Sequence, residues 1–368
     1  MKPQSRSSHG LLLSGRQWLG LLAASALFGT AAPRLWDHFE ALPDGPDERI
    51  AFDVSGDYRL YGRLAARAVA RGRVLVIGDS MVWGQYVPRE RTLCHFLNVQ
   101  AGEARFENLG LDGLHPAAME GLLRYHARGV AGARVLLHCN PLWLSSPKQD
   151  LTGAEPVHFN HPELVPQFFP RVPEYREDSS RRIGIAVGRR LAVDGWSRHL
   201  QQAYFGMTDI PSWTIEHPYE NPLGVMSGAF SPERALRAEG RVEGLRHRPI
   251  PWTEAGSTAQ DFPWVRLDAS FQWRSFQRVV GLLKERGNHV FVLLGPFNEH
   301  MILPSSRPAY ARNLAGIKAW LTSNGIPFSA PPHLPTAEYA DASHPLAPGY
   351  ARLAGELRRD VDALFARK

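Results

Sequence analysis

Val74-Leu75-Val76-Ile77-Gly78-Asp79-Ser80-Met81 is the stretch of sequence that decides the fold. Its four consecutive apolar residues predict a buried strand, and the Gly-Asp-Ser that follows predicts a turn into a helix. In open α/β sheets, ligands bind in the crevice outside the carboxyl ends of the strands. Ser80 is therefore placed for chemistry, although Gly-Asp-Ser by itself is more often an ordinary strand-to-helix turn.

Strands and helices alternate on both sides of this stretch. The predicted strands cover residues 73–77, 106–109, 134–138, 289–294 and 326–329. The predicted helices cover residues 58–70, 89–101, 116–126, 271–286, 309–323 and 346–365. This alternation is typical of α/β proteins. We expect a doubly wound parallel sheet of about five strands between two helical layers, a three-layer α/β/α architecture within residues 58–368.

The alternation stops between residues 142 and 268, where prolines and aromatic residues are frequent. One helix is predicted there, over residues 181–205. A long segment without regular rhythm inside a compact domain is usually functional. We therefore interpret residues 142–268 as an insertion after the third strand that forms a lid, a partner surface or a small subdomain.

The N-terminus carries features of a targeting segment. Lys2, Arg6 and Arg16 precede an uncharged stretch of 15 residues, 18–32, which Arg34 closes. This pattern predicts a signal peptide or an uncleaved signal anchor over residues 1–32, followed by a proline-containing linker over residues 33–57. A buried N-terminal helix is the alternative, and the preceding positive charges favour the membrane interpretations. The rest of the protein is then expected outside the cytoplasm, in the periplasm or at the cell surface, anchored or secreted.

Composition narrows the classes of partner. The 368-residue chain has a net charge of +6, but only five of its 42 basic residues are lysines, and no dense basic run occurs. Nucleic acid is therefore not expected as a partner. The two cysteines, Cys94 and Cys139, are predicted to be small buried hydrophobic residues rather than a disulfide.

A second motif lies just before the last predicted helix, where Asp341 precedes His344 by three residues in a loop. In this spacing a carboxylate can orient one ring nitrogen of an imidazole while the other faces a nucleophile. Ser80 is the nucleophile that such a pair would activate.

With Gly-Asp-Ser after the first strand, a glycine turn after the second and an asparagine after the third, the chain resembles the SGNH, or GDSL-like, hydrolase superfamily. The resemblance implies that Ser80 is the nucleophile, His344 the general base and acid, and Asp341 the residue that orients the histidine. It also implies an oxyanion hole formed by the Ser80 and Gly113 backbone N–H groups and the Asn140 side chain. The family's third block usually reads Gly-x-Asn-Asp, whereas residues 138–141 here read His-Cys-Asn-Pro.

Three further residues follow strand ends, where they could line the substrate crevice or pack in the core: Trp83, Trp143 and Phe297. His115 lies close after Gly113 and could contact substrate, or it could begin the next helix near solvent. His158 and His161 have a spacing that can bind a metal ion, but no third ligand is nearby in the sequence. Serine-based ester chemistry needs no metal and no cofactor, and we expect none.

Three functions are consistent with these motifs. The first is an esterase that acts on an acylated carbohydrate, a lipid or another small ester. The second is an O-acyltransferase, in which a sugar or polymer hydroxyl replaces water. The layout is similar to that of the membrane-anchored D-alanyl transfer proteins of teichoic-acid modification, a similarity that implies a membrane-bound O-acyltransferase as partner. The third is a catalytically silent binding or assembly protein that retains the fold. No residue type in the sequence separates hydrolysis from transfer.

Overall fold

The computed structural model describes residues 13–42, 49–227 and 249–365. Its strands are β1 Val74–Gly78, β2 Phe106–Gly110, β3 Arg134–Cys139, β4 His289–Leu294 and β5 Phe328–Ser329. The described helices before the third strand are α1 Gly15–Phe39, α2 Tyr58–Ala70, α3 Ser80–Trp83, α4 Leu93–Ala101 and α5 Pro116–Gly121. Those between β3 and β4 are α6 Pro147–Asp150, α7 Ser179–Gly188, α8 Ala192–Ala203, α9 Ile210–Glu216, α10 Pro222–Ser227 and α11 Phe271–Glu285. The last two are α12 Arg307–Ser323 and α13 Ala347–Phe365.

The five strands form one all-parallel sheet in the order β2-β1-β3-β4-β5. This is a doubly wound, three-layer α/β/α fold, as the sequence predicts. The chain moves outward in one direction from β1 to β2 and in the other from β3 to β5. The strand order therefore reverses between β1 and β3, which is the point where ligands bind in such sheets.

Apolar residues of β1 point alternately to the two faces of the sheet, and both faces are covered by helices. Leu75 and Ile77 belong to the larger core, beneath α2, α5, α11 and α12. Val74 and Val76 belong to the smaller core, beneath α4 and α13. Burial on both faces explains why this strand is an uninterrupted apolar run. Cys94 and Cys139 are both buried and form no disulfide, as predicted.

Two predicted helices have different bounds in the structure. The helix expected over residues 89–101 begins at Leu93, because the Thr92 hydroxyl caps it by accepting the His95 N–H at 3.2 Å. The helix expected over residues 116–126 changes to a π-helical turn after Gly121.

The single helix predicted over residues 181–205 is instead two helices, α7 and α8. The chain leaves the helical conformation at Leu191, whose backbone is extended. Arg189 holds this turn, because its guanidinium donates to the carbonyl groups of Glu163 and Val165. Such a tertiary contact leaves no signal in helical periodicity.

The insertion is tied to the sheet framework by a buried carboxylate. Asp150 accepts hydrogen bonds from the Ser270 hydroxyl and from the N–H groups of Phe271 and Gln272, the latter two at 3.0 Å. The end of α6 is thereby fixed to the first turn of α11. The start of the insertion is therefore packed on the main domain; residues 228–248 of the insertion lie outside the described part.

The prediction of a linker over residues 33–57 is wrong for the described parts of that segment. Helix α1 continues through Pro33 to Phe39, and Glu40 and Arg49 are both buried. The Arg49 guanidinium stacks over the Trp83 ring at 4.2 Å and donates to the Trp83 and Gly84 carbonyl oxygens at 2.9 Å. These buried contacts make the segment part of the domain; residues 43–48 lie outside the description.

The first half of α1 stands clear of the domain. Residues 14–28 are all exposed, including Leu19 and Leu27 at 68 % each. The second half packs on α8 through ring contacts of Trp36 with Trp196 and Tyr204. Across residues 13–42, 49–227 and 249–365, no helix combines the length and the apolar character needed to cross a membrane. The positive charges at Lys2 and Arg6 lie outside these ranges.

Candidate active site

Ser80 is the first residue of α3, directly after β1. The preceding Asp79 caps this short helix by accepting the Met81 N–H at 3.1 Å. The cap turns the chain sharply at the carboxyl end of the strand. As a result Ser80 faces the crevice at the reversal of strand order, and it is only 6 % exposed.

Ser80, His344 and Asp341 come together as a hydrogen-bonded triad. The His344 Nε2 atom lies 2.8 Å from the Ser80 Oγ atom. The His344 Nδ1 atom lies 2.7 Å from Asp341 Oδ2 and 2.8 Å from Asp341 Oδ1. The ring therefore joins a hydroxyl on one side to a carboxylate on the other, the arrangement in which a histidine removes the proton of a serine nucleophile.

The loop before α13 is folded so that it presents the two residues together. Asp341 Oδ1 accepts the backbone N–H groups of Ser343 and His344, each at 2.9 Å. The Ala340 N–H donates to the His344 carbonyl oxygen at 2.9 Å, and Tyr339 pairs with Pro345 across the loop. The same carboxylate thus fixes both the backbone and the imidazole of His344.

The charges in and around the triad shift the pKa values of His344 and Asp341. Burial acts to lower the pKa of His344, but the negative charge and hydrogen bonds of Asp341, together with the charges of Asp79 and Asp112, raise it above its ordinary value of 6.5. Burial acts to raise the pKa of Asp341, but the His344 charge and the backbone N–H groups lower it overall. Asp341 is therefore ionised at neutral pH and holds the imidazole in place.

Two backbone N–H groups next to the serine are free to bind an oxyanion. Among the described residues, neither the Ser80 N–H nor the Gly113 N–H has an acceptor. Gly113 has a φ of +64°. Residues that carry a side chain are strained in this conformation. Both groups are buried donors beside the triad, and such donors stabilise the negative charge of a tetrahedral intermediate.

Asn140, the third predicted oxyanion donor, binds a neighbouring carboxylate. Its Nδ2 atom donates to Asp79 Oδ2 at 2.8 Å, and its Oδ1 atom accepts the Leu142 N–H at 3.0 Å. An amide nitrogen carries two hydrogens, so this bond leaves one for an oxyanion. The side chain is held at both ends, which fixes the direction of that second hydrogen.

Asp79 is the centre of this network. Besides Asn140 and the Met81 N–H, it contacts His138 Nδ1 at 3.2 Å and the Trp143 Nε1 atom at 2.8 Å. Burial opposes its ionisation, but His138, Asn140 and His344 lower the pKa of Asp79 to about 2. His138 and Asn140 thus stabilise the charged carboxylate that orients the asparagine.

Comparison with models of known protein families found no match, and no curated protein matches the chain. No family is assigned on this basis.

The four weaker candidates have structural roles. Trp83 is 1 % exposed and donates to the Ile50 carbonyl oxygen at 2.6 Å, and Phe297 is 2 % exposed and packs against Trp264. Both residues therefore pack in the core, which is one of the two alternatives that the sequence leaves open for them. His115 is a buried cap of α5, whose ring accepts the Ala118 N–H at 3.3 Å. Trp143 is half-buried and contributes through its bond to Asp79.

His161, considered from the sequence as half of a metal-binding pair, instead holds the turn at Asp112–Gly113 in place. Its Nδ1 atom lies 2.9 Å from the Tyr58 hydroxyl, and its Nε2 atom lies 2.7 Å from the Asp112 carbonyl oxygen. Both ring nitrogens are therefore occupied, while His158 is exposed. The two hydrogen bonds of His161 thus fix the turn at Asp112–Gly113 relative to α2.

Tyr86 was not identified from the sequence. It adopts a left-handed conformation with a φ of 67°, and its ring packs edge-on against His344 with centroids 5.5 Å apart. Burial, followed by the charge of Asp341, raises its pKa well above the ordinary value, so it stays neutral. No local sequence pattern marks such a residue, because its role depends on a loop brought from elsewhere in the chain.

Proposed function

We propose that the protein is a serine-dependent acyl-ester enzyme of the SGNH type, acting as an esterase or an O-acyltransferase. The observation that carries the proposal is the Ser80–His344–Asp341 triad beside two unpaired N–H groups. A serine hydroxyl is a poor nucleophile without a base, and both the base and the oxyanion donors are positioned here. A purely binding protein would not require them.

In the first step the Ser80 Oγ atom attacks the ester carbonyl carbon as its proton passes to His344 Nε2. The carbonyl oxygen becomes an oxyanion that the N–H groups of Ser80 and Gly113, and the free hydrogen of Asn140, can bind. The intermediate then collapses, the carbon–alkoxy bond breaks, and the departing alcohol takes the proton from His344. The acyl group is left on Ser80.

In the second step an acceptor hydroxyl attacks this acyl-enzyme. His344 removes the acceptor's proton, and the new intermediate collapses to release Ser80, which recovers that proton from His344. Water as acceptor gives a carboxylic acid, and a sugar hydroxyl gives a new ester. Asp341 keeps the imidazole oriented in both steps and balances its positive charge.

The direct test is hydrolysis of p-nitrophenyl acetate by the full-length chain in mild detergent. We expect the Ser80→Ala variant to lose the activity, and Ser323→Ala, a serine substitution at the end of α12, to retain it. Full activity in Ser80→Ala would overturn the proposal.

Hydrolysis and transfer are distinguished by following the acyl group. The enzyme is acylated with a radiolabelled acetyl ester and then offered water alone or envelope saccharides. Label in acetate indicates an esterase, and label in the saccharide indicates a transferase. A chain that forms no acyl-enzyme would instead be the catalytically silent binding or assembly protein.

We further propose that α1 brings this chemistry to a membrane surface outside the cytoplasm. The support is the first half of α1, whose residues from 17 to 28 are uncharged, largely apolar and exposed, while its second half packs on α8. In that setting a membrane-bound O-acyltransferase is the partner that could deliver acyl groups to Ser80. Co-purification from detergent-solubilised membranes tests this partnership.

A further inference from the structure

A cleft of about 660 Å³ lies between the chain at residues 52–58, the loop at residues 160–163 and helix α8. We refer to it as the polar cleft. The residues of the polar cleft on which the argument depends are Phe52, Asp112, Asn160, Ser197, Gln201 and Gln202. Its volume falls within the range of roughly 300 to 1,000 Å³ that small-molecule sites occupy.

One end of the polar cleft lies at the oxyanion donors. Asp112 directly precedes Gly113, and its charge acts on His344. The side chain of Asn160 lies across Gly113, since a Cβ built on that glycine would be 1.8 Å from the Asn160 Nδ2 atom. This end of the polar cleft therefore adjoins Gly113, whose N–H is one of the two proposed backbone oxyanion donors.

The lining suits hydroxyl groups rather than an acyl chain. Asn160, Gln201 and Gln202 each offer an amide donor and acceptor, and Ser197 offers a hydroxyl. An aliphatic chain in this space would remove water from these groups without replacing its hydrogen bonds, which is unfavourable. The Asn160 side-chain amide has no protein partner among the described residues, so it is available to a ligand.

The charge of the lining also restricts the ligand. Two of its carboxylates, Glu163 and Asp194, pair with Arg198, so the charge of this arginine is already balanced within the lining. Arg198 therefore gives little attraction for an anionic group on the ligand. The half-buried ring of Phe52 adds one apolar surface to the lining. The C–H face of a sugar ring could lie on this surface.

We propose that the polar cleft binds the alcohol portion of the ester, and that this portion is an uncharged carbohydrate. This inference rests on the proposed acyl chemistry at Ser80. In that reaction the polar cleft would select the leaving group or the acceptor. Asn160 contacts the hydroxylated ring next to the reacting oxygen, and Gln202 contacts it further along α8. A second cavity of about 750 Å³ shares Tyr58 and Arg198 with the polar cleft as lining residues.

The test compares two acetyl esters on the full-length chain, p-nitrophenyl acetate and mono-O-acetylated cellotriose. In Asn160→Ala and Gln202→Ala, we expect the ratio of kcat/KM for the saccharide ester to that for the aryl ester to fall about 10-fold. Each variant loses about one hydrogen bond that only the saccharide makes. In Gln260→Ala, an exposed glutamine outside the polar cleft, both values should match the wild type. An unchanged ratio in both cleft variants would overturn the proposal, as would a wild-type enzyme inactive on the saccharide ester but active on the aryl ester.

A binding measurement separates this inference from the proposed catalysis. Saturation-transfer NMR on the Ser80→Ala chain should detect the acetylated cellotriose, and adding Gln202→Ala should weaken its binding about 10-fold. If Ser80 is not the nucleophile, hydrolysis will either be absent from the wild type or be unchanged in Ser80→Ala, but this binding will still be observed. Absence of binding in Ser80→Ala would refute the carbohydrate site whatever the outcome for Ser80.

Discussion

His344 sets the pH dependence expected of the enzyme. Only the neutral imidazole can accept the Ser80 proton, and Asp341 raises the pKa of His344 above 6.5. Activity is therefore lost as the pH falls through this raised pKa. We predict that kcat/KM for p-nitrophenyl acetate increases with pH along a limb whose midpoint lies above 6.5, measured between pH 5 and 9.

The Asp341→Asn variant checks the cause of this shift. Without the carboxylate, the pKa of His344 should fall, so the limb should move to lower pH while kcat falls by about 10²- to 10⁴-fold. If the midpoint of the dependence of kcat/KM on pH does not move in this variant, a group other than His344 controls that dependence.

Asn140 and Asp79 are predicted to affect catalysis in different ways. Asn140→Ala removes the proposed oxyanion donor itself, and we expect kcat to fall by about 10²- to 10³-fold with little change in KM. Asp79→Asn keeps the donor but removes the carboxylate that orients it, so kcat should fall less than in Asn140→Ala. Steady-state kinetics on p-nitrophenyl acetate measure both effects. Wild-type kcat in Asn140→Ala would exclude this side chain from the oxyanion hole.

Asp79 also links stability to acidity. Its pKa is about 2 in the folded protein against an ordinary 3.8, so its ionised form stabilises the fold above pH 3.8, and this contribution is lost as the pH falls toward 2. The shift corresponds to about 2 kcal/mol. Between pH 5 and 2, we predict that the unfolding free energy of Asp79→Asn falls about 2 kcal/mol less than that of the wild type in denaturant titrations. Parallel curves would contradict this linkage.

At the scale of elements, a buried polar cluster joins α1, α2 and α8. His199 is fully buried, with its Nδ1 atom 2.6 Å from Asp57 and its Nε2 atom 2.8 Å from Glu40. Tyr204 donates to the same Glu40 carboxylate, and Arg63 pairs with it. The cluster therefore fixes the end of α1 to the first turn of α2 and to the insertion.

Removing the histidine should destabilise the protein strongly. His199→Ala leaves two buried carboxylates without one of their partners, and we predict a loss of about 3 kcal/mol in the free energy of unfolding. His158→Ala, an exposed histidine of the same insertion, should change it by less than about 0.5 kcal/mol. Urea titration measures both variants, and equal stabilities would show that the cluster does not hold these elements.

Much of the framework could be predicted from the sequence, because it depends on local patterns. Apolar runs at β1 and β4 and helical spacing in α2 and α13 are properties of short segments. The break between α7 and α8 could not be predicted, because the contacts of Arg189 with distant carbonyl groups cause it. The course of α1 through Pro33 also depends on packing of its later residues against α8.

The proximity of the proposed site residues could be predicted for a similar reason. Ser80, Gly113 and Asn140 each follow a strand end, and Asp341 and His344 lie three residues apart. The polar cleft could not be predicted, because its lining comes from four separate segments that lie between residues 52 and 202. The hydrogen bond from Asn140 to Asp79 could not be predicted either, because no sequence pattern indicates that the Asp79 carboxylate binds this amide.

At the scale of the whole molecule, α1 is predicted to attach the protein to lipid. Its exposed apolar residues should partition into a bilayer, so the full-length chain should sediment with phospholipid vesicles. Replacing Leu19 and Leu22, which are 68 % and 62 % exposed, by glutamate should reduce the bound fraction several-fold. The same change at Val99 and Ile215, which are 63 % and 79 % exposed on α4 and α9, should not. Equal sedimentation of all three chains would contradict a specific role for α1.

The central claim is that Ser80 is a nucleophile activated by His344. The most direct measurement is the reaction of the full-length chain with a fluorophosphonate, followed by mass spectrometry of its peptides. We predict one phosphonyl group per chain, located on Ser80, and a labelling rate at least about 100-fold lower in His344→Ala. Labelling of a different residue, or equal labelling rates in the wild type and His344→Ala, would contradict the account.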